Sequence, residues 1–199
     1  DKRSATLKEI VAALRETYSR SIGVEYTHIQ DPAERKWLQQ RMEPNRNRPD
    51  IDDADRLRIL NKLCQSHEFE FFLNKKYPGQ TRFSLEGADG IIPMLDALVN
   101  HAADQGTEEI ILGMSHRGRL NIQANVLYKS YEEIICEFEN TYDPDSIVGA
   151  GDVKYHKGYL ADIKTPSGKS LRITLLSNPS HLESVDPVVA GFARARQEK

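Results

Sequence analysis

Cysteine is almost missing from this chain. Cys64 and Cys136 stand alone among 199 residues, with no C-x-x-C pair. That argues against a disulfide scaffold or a structural zinc site and fits a reducing compartment. No apolar run approaches the ~20 residues needed to span a bilayer, so no membrane association is expected. An excess of basic charge is also lacking: 27 Lys and Arg stand against 30 Asp and Glu, a net charge of −3. Non-specific nucleic-acid binding is therefore not expected. No G-x-S-x-G elbow is present. No Gly-Lys-Ser/Thr follows Gly149-Ala150-Gly151, so that run is not a P-loop. No two His or Cys share a helix at ligand spacing, which leaves no metal ligands to assign. Repeats and low-complexity tracts are absent, and no signal or transit peptide is visible at the start of this stretch. The first residue is Asp rather than Met, and the expectation is a piece of a longer chain.

What is present is ordinary for a globular protein, with 39% hydrophobic and 29% charged residues. Thr6 and Glu9 read as a capping box before Leu7, Ile10, Val11 and Leu14 at helical spacing. Asp31-Pro32-Ala33-Glu34 opens a second helix with Trp37, Leu38 and Met42 on its apolar side. Asp52 and Asp53 open a third through Leu57, Leu60 and Leu63, and Ser66 caps a further one carrying Phe69, Phe72 and Leu73. Residues 1–80 are thus expected to form a helical segment, closed by the turn Tyr77-Pro78-Gly79-Gln80.

Residues 81–199 have a different character. Ile91, Leu95, Leu98 and Val99 mark a helix that Gly106 terminates. Ile110–Met114 reads as a buried strand, ending in Ser115-His116-Arg117-Gly118-Arg119 and a helix running to about Tyr128. Ser130 and Glu133 start another helix, and Asp143–Gly151 is a loop. Tyr155–Ile163 and Leu171–Leu176 flank Thr165-Pro166-Ser167-Gly168-Lys169 as a β-hairpin. A last helix is expected near Ser184 or Asp186-Pro187. The fold class is α/β: a helical part, then a sheet with helices on both faces and one hairpin.

Two strands end in polar, His-bearing turns, one with Ser115, His116, Arg117 and Arg119, the other with Ser177, Asn178, Ser180 and His181. Lys154-Tyr155-His156 lies between them in sequence. Ligands of open α/β sheets bind beyond the carboxyl ends of strands, and anions are favoured at helix N-termini. Arginine suits capture of phosphate or carboxylate, and histidine suits proton transfer or hydrogen bonding to an anion. Pattern alone therefore reaches an anion-binding rim, with His28, His67 and His101 as bystanders.

Longer motifs carry a more specific signal. They are His28-Ile-Gln-Asp-Pro, Trp37-Leu-Gln, Tyr77-Pro-Gly-Gln, Arg82-Phe-Ser-Leu-Glu-Gly, Gly113-Met-Ser-His-Arg-Gly-Arg-Leu-Asn, Gly151-Asp-Val-Lys-Tyr-His and Asn178-Pro-Ser-His-Leu-Glu. In order and spacing the chain resembles, from about Val24 onward, the first component of 2-oxoglutarate dehydrogenase. That family comprises thiamine diphosphate-dependent 2-oxoglutarate decarboxylases. The resemblance implies a helical segment followed by the first part of a Rossmann-like thiamine diphosphate-binding domain, truncated at Lys199.

By the same resemblance, Arg117 contacts the cofactor diphosphate, His116 and His156 face the substrate, and Ser180 and Leu182 cradle the aminopyrimidine. His181 is a supporting residue, and Arg119 and Asn121 are structural. The Mg2+ ligands, a Gly-Asp-Gly with a downstream Asn, and the activating Glu lie outside this chain, so the piece alone is expected to be inactive. Implied partners are a lipoyl-bearing succinyltransferase core and a second copy in a homodimer. The implied location is the cytoplasm of a bacterium or the mitochondrial matrix of a eukaryote. A 2-oxoadipate-specific paralogue, or a non-catalytic folding or interaction module, are the alternatives.

Overall fold

The structure, a computed structural model, describes residues 4–139 and 151–198. All of the expected Asp143–Gly151 loop except Gly151 lies outside them. The chain divides into two compact units, Asp1–Asp53 and Ala54–Lys199.

The first unit holds α1 (Leu7–Tyr18) and α2 (Pro32–Met42). Both helices start as the sequence dictates. Thr6 and Glu9 form the reciprocal capping box, and Asp31 accepts the Ala33 N–H ahead of Pro32. Their expected apolar faces do not form a core. Leu7, Ile10, Val11, Leu14 and Trp37 are exposed, and Thr17 is the unit's one buried residue among those described. Polar contacts hold it instead. The Tyr18 and Tyr26 rings stack at 5.6 Å, the Tyr18 hydroxyl donates to Glu43 at 2.7 Å, and Gln39 donates to the Tyr26 hydroxyl at 3.0 Å.

The second unit opens with α3 (Asp53–Lys76), and continues with α4 (Ile91–Asp104), β1 (Glu109–Leu112), α5 (Arg119–Asn125) and α6 (Tyr131–Glu139). A 3-10 turn over Gly151–Tyr155 precedes β2 (Tyr159–Lys164), β3 (Ser170–Leu175) and α7 (Leu182–Gln197). The sheet has the order β1-β3-β2, with β1 parallel and β2 antiparallel to β3. The hairpin stands where Pro166 and Gly168 predict it, Thr165 and Lys169 closing its turn by a 2.9 Å backbone bond.

Strand alternation divides the two faces. Leu171, Ile173 and Leu175 of β3 join Ala161 and Ile163 of β2 in a core covered by Ile92, Val99 and Ala103 of α4, Ile122 of α5 and Val126 just beyond it. Ile110 and Leu112 of β1 face the same core. On the opposite face, Glu109 takes a hydrogen bond from Thr174 at 2.9 Å and pairs with Arg196 of α7 at 3.2 Å. Beyond β1, a Cβ added to Gly113 would stand 2.5 Å from Val189 Cγ2 of α7. Helices therefore cover both faces, as expected. Gly113→Ala is expected to lower stability by about 1–3 kcal/mol through overpacking, measured by urea unfolding of the chain.

Three expectations at the level of elements are corrected. Ser66 does not cap a helix, because α3 runs unbroken through it. The helix after β1 ends at Asn125, with Tyr128 in the left-handed region (φ 55°). The last helix begins at Leu182 and carries Pro187 inside it. The buried side of α3 also differs: Leu57, Leu60 and Phe72 are exposed, while Lys62, Ser66, Phe69, Glu70 and Leu73 are buried.

Each buried polar group on α3 has a partner, as burial requires. Lys62 donates to the Asn125 carbonyl at 2.7 Å and pairs with Asp96, which Arg58 also engages. Asn121 Nδ2 donates to Ser66 and to the Glu70 carboxylate at 3.0 Å. Glu70 also accepts the Leu85 N–H at 3.2 Å, tying the irregular 82–85 segment to α3.

Candidate active site

The chain leaves β1 through Gly113-Met114-Ser115-His116-Arg117-Gly118 and enters α5. Gly118 makes this turn possible. Its φ is +73°, and a Cβ there would meet Leu85 Cδ1 at 2.5 Å. The Gly118 N–H donates to the Phe83 carbonyl and Arg117 Nη1 to the Ser84 carbonyl, both at 2.9 Å. The turn after β1 is thereby stapled to residues 83–85.

His116 lies on Phe83, with ring centroids 3.9 Å apart. Phe83 in turn meets Tyr155 edge-on at 5.0 Å, and the buried Tyr155 hydroxyl donates to the Thr81 carbonyl. The His156 ring stands perpendicular to His116 with centroids 6.1 Å apart. Backbone bonds hold His156 on both sides: its N–H donates to Val153, and its carbonyl accepts the Asn178 N–H at 3.1 Å.

Asn178 belongs to the turn that follows β3. Its Oδ1 accepts the Ser180 N–H at 2.8 Å and lies 3.5 Å from His156 Nδ1. Ser180 has φ +83°, and its Oγ is 3.3 Å from His156 Nε2. A left-handed backbone at a non-glycine residue costs energy and concentrates at functional sites. Ser180→Gly is expected to stay within about 0.5 kcal/mol of the parent chain, and Ser180→Val to lose about 2 kcal/mol, in urea unfolding.

His116, His156 and Ser180 are therefore brought together at the carboxyl ends of β1 and β3. Arg117 shares the turn of His116 and is exposed. Leu182 opens α7 two residues beyond Ser180 and is half exposed. His181 stands at the α7 N-cap without a side-chain capping bond, its Nδ1 3.2 Å from the Pro179 carbonyl.

Two basic residues that pattern alone could assign to the rim are turned inward. Arg119 is fully buried, and its guanidinium donates to the carbonyls of Met114, Lys157 and Leu176. Burial brings its pKa down to about 10, so it is charged at neutral pH. Its fork is spent on backbone. Lys154 is buried as well, over the rings of Phe138 and Tyr155.

Phe83 is the site residue that spacing did not single out. It sits in an irregular segment, and only its place in the Arg82-Phe-Ser-Leu-Glu-Gly motif marks it.

No family model matches the chain. Curated proteins do. Over 198 residues the chain is 46% identical to the multifunctional 2-oxoglutarate metabolism enzyme of Mycolicibacterium vanbaalenii, covering 99% of this chain and 16% of that protein. It is 44% identical to the 2-oxoglutarate dehydrogenase E1 component of Cupriavidus necator, covering all of this chain and 20% of that one. Over nearly its whole length the chain is thus similar to one part of 2-oxoglutarate dehydrogenase E1 components. A third relative, the 2-oxoglutarate dehydrogenase E1/E2 component of Corynebacterium glutamicum, is 44% identical over 99% of this chain and 16% of its own length. The chain spans about a sixth to a fifth of the length of the curated E1 relatives it matches.

Among the described residues, no group of three His, Cys, Asp or Glu could hold a metal ion. No described helix is long and apolar enough to cross a membrane.

Proposed function

We propose that this segment supplies one wall of the active site of a thiamine diphosphate- and Mg2+-dependent 2-oxoglutarate dehydrogenase E1 enzyme, its cofactor-binding part running from residue 81. The observation that carries the reading is the perpendicular pair of histidine rings, His116 lying against Phe83, beside an exposed arginine and a left-handed serine.

The residues present fit the cofactor as part of a site. Arg117 offers an exposed cation for a diphosphate. The Ser180–Leu182 turn offers a hydroxyl and a half-exposed apolar side chain for a heteroaromatic ring. Bound thiamine diphosphate supplies the electron sink for loss of carbon dioxide from a 2-oxo acid. The protein's task is then to orient that acid and to stabilise the charge that develops on it. His116 and His156 are close enough together to donate hydrogen bonds to one carboxylate or to one developing oxyanion. The succinyl product would pass to a lipoyl arm of the E2 core, a partner that the E1/E2 name of the Corynebacterium relative favours. The enzyme would act as a homodimer, in the cytoplasm of a bacterial host.

The test is the intact E1 polypeptide assayed with 2-oxoglutarate and with 2-oxoadipate. The proposal expects 2-oxoglutarate to have the higher kcat/KM. A higher value for 2-oxoadipate assigns the paralogue, and no turnover of either acid overturns the reading.

A further inference from the structure

Two tensions meet at Asn178. The residue is only 6% exposed, and its Nδ2 is enclosed without a hydrogen-bond partner among the described residues. Its neighbour Ser180 holds a backbone angle that side chains rarely adopt. An orphaned buried donor costs stability, and a left-handed serine adds to that. An Asp or Ser at this position could accept the Ser180 N–H without burying an amide donor. What the amide does on its other side therefore needs an explanation.

We propose that Asn178 is a positioning residue that sets the tautomer of His156. A backbone N–H can only donate. The Asn178 atom 2.8 Å from the Ser180 nitrogen is therefore the carbonyl oxygen, and the amide cannot be flipped. That same oxygen faces His156 Nδ1 at 3.5 Å. Two acceptors cannot bond one another, so Nδ1 carries the hydrogen. In neutral His156 this leaves Nε2 bare. The Ser180 hydroxyl lies 3.4 Å from Nδ1 and 3.3 Å from Nε2 and, able to donate or accept, does not oppose that choice. The Asn178 oxygen is the obligate acceptor that makes it.

Turning the ring over would put Cδ2 where Nδ1 stands and lose the contact with Asn178. The backbone of His156 is held by the Asn178 N–H, which donates to the His156 carbonyl at 3.1 Å. One residue thus grips His156 twice and shapes the Ser180 turn. Neutral His156 can accept a proton or hydrogen bond at Nε2. Only as imidazolium can it donate there.

The consequence for catalysis rests on the proposed site, but the tautomer does not. The test is the ring-nitrogen spectrum of the complete chain with 15N-labelled histidine, recorded at a pH where His156 is neutral. His156 is assigned by comparison with His156→Gln. The expected result is the Nδ1–H form in the parent chain and in Asn178→Asp, which keeps an acceptor. In Asn178→Ala the population should shift to Nε2–H, with backbone amide spectra reporting an intact fold. Nε2–H in the parent chain, or Nδ1–H retained in Asn178→Ala, overturns the assignment. If the alanine variant does not fold, the parent and Asp spectra decide alone. Loss of 2-oxo acid turnover with the tautomer as expected would count against the proposed function and not against Asn178.

Discussion

Arg119→Leu should cost the second unit about 3–5 kcal/mol, the loss expected when a buried charge is removed from the groups it satisfies. Three carbonyls, those of Met114, Lys157 and Leu176, take hydrogen bonds from this one guanidinium. They come from the end of β1, the approach to β2 and the end of β3. Leucine would relieve the burial of a charge but take this donor from all three. The Lys157 carbonyl keeps a 3.4 Å bond from Gln123 Nε2, while those of Met114 and Leu176 lose theirs, at about 1–3 kcal/mol each. With domains stable by only about 5–15 kcal/mol, that loss can unfold a marginal one. Arg119→Lys retains a charge but has no planar fork to reach all the acceptors, and should cost about 2 kcal/mol. Urea unfolding followed by near-ultraviolet circular dichroism measures both. Equal stability of the Leu variant and the parent would show that the guanidinium is not what holds the strand ends.

On the proposed function, His116→Ala and Arg117→Ala, made in the intact polypeptide, should separate two roles one residue apart. His116 lies tilted against Phe83 and faces His156, whereas Arg117 is exposed and, among the described residues, is engaged through Nη1 by the Ser84 carbonyl. Removing the histidine should lower kcat by about 10²–10⁴-fold, the usual worth of a positioned donor or proton-transfer group. Cofactor affinity should stay within about threefold, less than 1 kcal/mol. Removing the arginine should weaken thiamine diphosphate binding by about 10–100-fold, the worth of one charge-assisted contact. Saturating cofactor should then restore most of the turnover. Cofactor titration by fluorescence and steady-state rates separate the outcomes, and matching losses in both variants would dissolve the division of labour.

The sheet, its hairpin and the two polar turns were legible because each depends on local pattern. Leu171, Ile173 and Leu175 alternate with Arg172 and Thr174, and Pro166 and Gly168 mark the turn. The inner side of α3 was not legible. Periodicity points to Leu57 and Leu60, but the packed side is built on Lys62, Ser66 and Glu70, whose partners Asp96, Asn121 and Leu85 lie on other elements. A pattern rule counts apolar spacing and cannot see a buried polar residue satisfied from elsewhere. Arg119 eluded spacing for the same reason. It looks like Arg117 in sequence, and only the convergence of strand ends around it distinguishes them. The apolar faces of α1 and α2 formed the opposite error, since amphipathic spacing does not guarantee a partner within the chain.

The mixed sheet also imposes an order of assembly. Lys164 and Ser170 pair across a short turn, while Glu109 must find Arg172 across most of the intervening domain. Closing that loop of roughly 60 residues costs about 2 kcal/mol more than closing the hairpin. The hairpin can form in about 1–10 μs, and β1 joins later. His116 follows β1, while Asn178 and Ser180 follow β3. The two histidines therefore meet only when the last strand docks, so a chain paused before that step has a hairpin but no site.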